Sequence, residues 1–288
     1  MRSWTDVSGG GVMTGATVVA GVRSGRGVSW SALGGVIRYE FLMQVRRGAL
    51  WVGFLLLSAV LVVAYLSGSG PYLQRLGAPH RDLMIAWAVL ANTFFALGAG
   101  LFLADRFQRD RRIRVQELLA SGPADPGARL LGKYLGAVAA TLVTVATFFS
   151  AGAIALIIQL NDLSLAPLAL AAFLALIVPA VFFVGAFAIA CTTFLWPPLF
   201  QFLFVGYMLW TGLNVTDIPT LSGTLLSPYL NYVVTGILGY HTFEPIDARL
   251  YPASSVGLGL AHIVVLLACA AVALLAAWGL EVWRVRRG

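Results

Sequence analysis

Six stretches of this chain are long, apolar and free of Asp, Glu, Lys and Arg: 49–67, 83–104, 134–158, 167–190, 197–213 and 256–280. Each is close to the ~20 residues that a helix needs to cross the ~30 Å hydrocarbon core of a bilayer. Backbone N–H and C=O groups find no water there, so such stretches must fold as helices that satisfy their own hydrogen bonds. Charged residues make up 11% of the 288, against roughly 25% in soluble domains. The expected fold is an all-α integral membrane protein with six transmembrane helices, as one membrane domain with no room for a second catalytic one.

Details within the stretches carry further expectations. Pro179 is expected to kink the fourth, and Pro197-Pro198 marks a break before the fifth. Asn92, Thr93, Thr141, Thr144 and Gln159 are expected to hydrogen-bond between helices, at ~0.6 kcal/mol each. Gly132-x-x-x-Gly136 and Gly98-x-Gly100 are read as packing sites where helices approach closely. His262 is the lone ionisable side chain inside a stretch, expected as a neutral histidine hydrogen-bonded between helices rather than a proton relay. Cys191 and Cys269 lie in apolar stretches with no metal or disulfide spacing, and read as packing residues.

The net charge of +7 would suit nucleic acid, but its distribution follows membrane topology. With the N-terminus inside, the inner segments hold 16 of the 19 Lys and Arg, leaving Arg75, Arg81 and Arg249 outside. Positive charge concentrates on the cytoplasmic side of membrane proteins, so both termini are expected in the cytoplasm. Residues 1–28, rich in Gly, read as a disordered cytoplasmic tail, followed by the membrane domain at 29–288. The apolar patch at 16–22 is too short and glycine-broken for a signal-peptide core; Met13 or a later codon is an alternative start. Trp30, Leu33, Ile37, Phe41 and Val45 fall on one helical stripe, which predicts an amphipathic helix in the cytoplasmic interface before the first span.

The longest charged run is 105–133, with seven basic and four acidic residues. A helix is expected over 105–120, stopped by Ser121-Gly122-Pro123. Asp125 as N-cap and Pro126 at the first helical position start another helix that runs into the third span. The outer loop at 214–255 contains an apolar run at 225–240, too short to span, and a re-entrant or interfacial pair of short helices is expected there. Gly127-x4-Gly132-Lys133 has the frame of a phosphate loop but carries Tyr134 where Ser or Thr would hold magnesium, and stands in a predicted helix. The chain is therefore not expected to hydrolyse ATP. No H-E-x-x-H or G-x-S-x-G motif and no acid pair within the stretches suggests a membrane protease.

Glu117, Leu118, Leu119, Ser121 and Pro123, followed by Leu131, Gly132 and Lys133, resemble the cytoplasmic loop between the second and third spans of ABC-2 type transporter permeases. Where that family commonly has Gly-Thr ahead of the Glu-Leu-Leu, this chain has Arg114-Val115-Gln116. Arg38 to Phe41 resembles the family's elbow helix, Ser227-Pro228-Tyr229 its short outer helices, and the basic tail from Glu281 its C-terminus. The resemblance covers about residues 30 to 288. It implies the permease subunit of an exporter in the cell membrane, with no cofactor of its own. ATP and magnesium would sit on a separate ABC ATPase subunit. A second permease subunit, identical or a sister, would complete the pathway, with membrane lipid around it and no nucleic acid.

Under that resemblance, Val115, Glu117, Leu118, Leu119 and Ser121 form the helix that couples to the ATPase. Phe202, Tyr207 and Trp210 on the fifth span, with Tyr229 and Tyr232 of the outer loop, are the candidate pathway lining, suited to amphiphiles with an apolar body. They also fit lipid-facing or interfacial aromatic belts. Two other classes stay open: a non-transporting scaffold that anchors a peripheral complex, and an ion-coupled transporter, against which the lack of intramembrane acids counts.

Overall fold

The structure is a computed structural model that describes residues 30–112, 126–212, 221–240 and 253–287. Helices joined by turns make up these residues, and no strand occurs among them. In chain order they are α1 (Trp30–Val45), α2 (Gly48–Arg75), α3 (His80–Arg112), α4 (Pro126–Leu160), α5 (Leu165–Thr192), α6 (Pro197–Gly212), α7 (Asn231–Gly236) and α8 (Val256–Arg287). Five of them, α2, α3, α4, α5 and α8, are long and apolar enough to cross a membrane. The stretch expected as the fifth crossing forms α6, described over 16 residues. That is about 24 Å at 1.5 Å per residue, short of a ~30 Å core.

Both α2 and α5 contain one turn of π-helix, at Tyr65–Ser69 and Phe173–Ile177. Each turn ends two residues before a proline, Pro71 and Pro179. The residue just before each proline bonds five back: the Gly70 N–H to the Tyr65 carbonyl, and the Val178 N–H to that of Phe173. In a regular α-helix a proline ring meets the carbonyl four residues before it; a wider turn there makes room for the ring. The fourth stretch accordingly carries a π-turn ahead of Pro179. The first, expected to end at 67, continues through Pro71 to Arg75.

α3 and α5 form the centre. Within their apolar windows 56% of residues are buried, against 22% in α2, 33% in α4 and 17% in α8. α2, α4 and α6 pack around α3, and α8 packs on α5. Aromatic pairs hold the layers: Phe54 of α2 with Phe95 of α3 at 5.9 Å, Tyr65 edge-on to Trp87 at 5.6 Å, and Phe149 of α4 with Phe173 of α5 at 5.5 Å. The outer faces of α2 and α8, with Leu56, Val63, Val264 and Leu275, are apolar and exposed, as suits helices whose solvent is lipid.

α1 packs along α4. The contact is made by the two glycines of Gly132-x-x-x-Gly136: a Cβ at Gly132 would stand 2.7 Å from Val36, and one at Gly136 would stand 2.7 Å from the Glu40 Cβ and 2.8 Å from the Ile37 carbonyl. The buried face of α1 is therefore Leu33, Glu40 and Gln44, with the Gln44 amide donating to the Glu40 carboxylate at 3.3 Å. Trp30, expected on the apolar stripe, is 82% exposed. Of the stripe's other residues, Leu33 is buried and Ile37, Phe41 and Val45 are half-buried, beside the face that meets α4. Gly98 and Gly100 likewise sit against Leu57 of α2 and Phe204 of α6.

Three expected inter-helical bonds are made within single helices. Thr93, Thr141 and Thr144 donate to the carbonyls of Val89, Ala137 and Ala140 in their own helices, at 3.1, 2.9 and 3.1 Å. A short hydroxyl side chain finds the carbonyl four residues back before any neighbour. Gln159 is exposed near the end of α4. Asn92 does reach across, though to a non-helical segment (below).

The bundle has two distinct ends. One holds α1, the start of α4 at Pro126, and the last eight residues of α3 (105–112), which extend about 12 Å beyond its apolar stretch. The start at Pro126 matches the expected Asp125-Pro126 signal. The opposite end gathers the turns at 76–79 and 161–164 with residues 221–240. There the His80 Nδ1 lies 3.2 Å from the Asp162 carboxylate, and the Arg81 guanidinium donates to the Leu238 carbonyl.

Candidate functional site

Residues 221–230 run as consecutive turns without regular helix, and α7, of six residues, follows. Ser222, Ser227, Leu230, Asn231, Val233, Val234 and Leu238 are buried, so the segment enters the bundle. Of the expected pair of short helices, one lies among the described residues. Leu230, at φ 53°, adopts the left-handed conformation, uncommon for a bulky side chain. It reverses the chain so that α7 begins at Asn231.

Irregular backbone at membrane depth is tolerated only where protein satisfies its polar groups. Here side chains from across the fold do so. The Ser222 carbonyl accepts from the Asn231 amide at 2.7 Å, and that of Gly223 from the Tyr232 hydroxyl at 2.7 Å. The Leu226 carbonyl accepts from the Tyr207 hydroxyl at 2.6 Å. The Ser227 carbonyl accepts from the His262 Nε2 and that of Pro228 from the Asn92 amide, both at 3.0 Å. Because a carbonyl can only accept, the His262 Nε2 carries the proton in this contact. Asn92 stands ten residues beyond Asp82, about 15 Å along α3. The Pro228 carbonyl is thus level with the middle of the apolar stretch of α3. The Asn92 Oδ1 and His262 Nδ1, both buried, have no hydrogen-bond partner among the described residues.

Beside this segment lies a half-open cavity of about 300 Å³. α5 and α6 each contribute two phenylalanines four residues apart: Phe183 and Phe187, with ring centroids 4.7 Å apart, and Phe200 and Phe204, at 5.6 Å. Tyr207 and Leu226 close the side towards the turns of 221–230, and no polar atom is exposed inside. The hydroxyl of Tyr207 is taken up by the Leu226 carbonyl.

Of the aromatics proposed from sequence, Tyr207 lines this cavity. Tyr229 donates to the Met208 carbonyl at 2.8 Å, fastening the segment to α6, and Tyr232 braces the segment internally. Phe202 and Trp210 are exposed on other faces of α6, and the structure does not bring them to the cavity. Val115, Glu117, Leu118, Leu119 and Ser121 lie outside the described residues. Lys133 of the phosphate-loop-like frame stands in the interior of α4, as Gly132 does. The four phenylalanines were missed in the sequence, although two i, i+4 aromatic pairs in neighbouring apolar stretches are a visible signal. Compared with protein-family models and with curated proteins, the chain matches none.

Proposed function

We propose that this chain is the six-span permease subunit of an ABC-2 type exporter, with both termini in the cytoplasm of a cell-membrane protein. In this reading α6 is the fifth of the six crossings. The observation that carries it is the two-ended arrangement: α1 and the ends of α3 and α4 that flank 113–125 share one end, and the re-entrant segment before α8 occupies the other. That order matches what the sequence resemblance implies for an elbow helix, a coupling loop and short outer helices.

A chain that receives its free energy from a partner must be touched by that partner on the cytoplasmic side. In this reading the ends of α3 and α4 that overrun the apolar stretches lie on the cytoplasmic side, and an ATPase subunit carrying ATP and magnesium docks beside them. Two permease subunits, identical or sister, form the pathway. The exposed aromatics Phe202 and Trp210 then meet lipid or the second subunit.

Affinity purification from the native membrane tests this reading. The expected result is a co-purifying ABC ATPase subunit whose hydrolysis is supported by the complex. Recovery of a peripheral complex without ATPase activity would favour the scaffold, and ATP-independent transport abolished by a protonophore would favour ion coupling.

A further inference from the structure

The cavity between α5, α6 and the re-entrant segment is a binding site, and we propose that its ligand is a single hydrocarbon chain. Its lining runs from Phe183 to Cys191 on α5 and from Phe200 to Tyr207 on α6, about 12 Å and about 10 Å of helix at 1.5 Å per residue. A void of about 300 Å³ drawn out along the two helices has the shape of an extended chain, and it lies at the lower end of the ~300–1,000 Å³ of ligand pockets.

The chemistry of the wall selects the same ligand. No polar atom is exposed in the slot, and the one hydroxyl at its edge, that of Tyr207, is committed to the Leu226 carbonyl. Nothing inside can therefore bind a headgroup, a sugar or a charge. Water does not fill apolar cavities of this kind. The slot is half-open and one of its walls is α5, a helix long and apolar enough to cross a bilayer, so the available filler is an alkyl chain whose polar head stays at the mouth. Leu221 and Leu226 of the re-entrant segment form part of the wall, so an occupying chain touches that segment directly. The site rests on this geometry and not on an ATPase partner.

Such a chain comes either from a bilayer phospholipid or from a single-chain amphiphile. The test uses the purified full-length protein in phosphatidylcholine nanodiscs with two photoactivatable probes: lauric acid with a terminal diazirine, and a phosphatidylcholine carrying the same group on one acyl chain. Cross-links are mapped by mass spectrometry. Adducts concentrated on 183–191 and 200–207 are expected, suppressed several-fold by excess unlabelled lauric acid and by Cys191→Trp, which fills the slot. Phe202→Ala, on the exposed face of α6, should leave them unchanged. Labelling by both probes assigns a resident lipid chain as well as amphiphiles; labelling by lauric acid alone assigns a single-chain ligand. Non-saturable labelling spread over the exposed residues Val60, Val264 and Leu275, with no excess at the slot, would overturn the proposal. Competition on the wild-type protein decides the matter even if Cys191→Trp fails to fold, and absence of a co-purifying ATPase would leave the site standing.

Discussion

The imidazole of His262 donates from Nε2 to the backbone carbonyl of Ser227 at 3.0 Å, with the ring fully buried. This bond joins α8 to a non-helical segment, where the sequence led us to expect a bond between helices. Beside it, Asn92 holds the next carbonyl. Together they explain how turns can sit at mid-bundle depth without stranding backbone groups.

Removing that donor should loosen the re-entrant segment. His262→Ala is expected to lower stability by about 1–3 kcal/mol, the range for a lost buried partner, and to expose 221–240 to protease. Thermal unfolding in detergent with limited proteolysis measures both. An unchanged cleavage pattern would mean that the segment is held without His262.

The contact of α1 with α4 gives a paired prediction. Gly136→Ala places a methyl group 2.8 Å from the Ile37 carbonyl and 2.7 Å from the Glu40 Cβ, so the helices must part, at a cost of about 1–3 kcal/mol. Gly206→Ala, with nothing within 4 Å, should be neutral or stabilising by about 0.5–1 kcal/mol because glycine weakens a helix interior. Melting temperatures of the two variants should move in opposite directions, or only that of Gly136→Ala should fall.

Much of this helix layout is legible in the sequence, because apolar length and lack of charge are local properties. The stretch 83–104 lies within His80–Arg112, 256–280 within Val256–Arg287, and Asp125-Pro126 announces α4. The π-turns were not legible: the first stretch is expected to end at 67, whereas the wider hydrogen-bond register carries the helix past Pro71 to Arg75. The residues of α1 that meet α4 were not legible, because its partner's glycines, about a hundred residues away, choose them. The carbonyl partners of 222–228 come from Asn92, Tyr207, Asn231, Tyr232 and His262. Asn92, Tyr207 and His262 stand 136, 19 and 35 residues from the carbonyls they bond, and no local pattern links such positions.

Asp162 gives a pH dependence. The Ser164 hydroxyl at 2.6 Å, then His80, hold its carboxyl below the usual value. A group whose pKa is depressed by folding stabilises the fold above its unfolded value, about 3.9, and loses that contribution as pH falls further. Asp162→Asn should therefore melt below wild type at neutral pH, with the gap closing as pH drops below about 4. A gap that persists at acid pH would assign the loss to packing rather than charge.

The proposed sidedness rests on the 16-to-3 division of basic residues. In a background with Cys191 and Cys269 replaced, Ser121→Cys should resist an impermeant maleimide in intact cells and Thr242→Cys should react. Labelling of position 121 from outside would invert the topology.

The central claim is that 115–121 receives force from an ATPase. In the proposed reading Leu118 and Leu119 would supply apolar anchors and Glu117 a charge at their rim, whereas Arg111 and Arg112 would suit anionic lipid headgroups. The most direct measurement is the ATPase recovered with affinity-purified permease, compared between wild type, Leu118→Asp and a variant lacking the charges of Arg111 and Arg112. The account predicts that Leu118→Asp inserts normally but loses the ATPase, while the arginine variant keeps it and changes membrane retention. Wild-type ATPase recovery and transport in Leu118→Asp would contradict it.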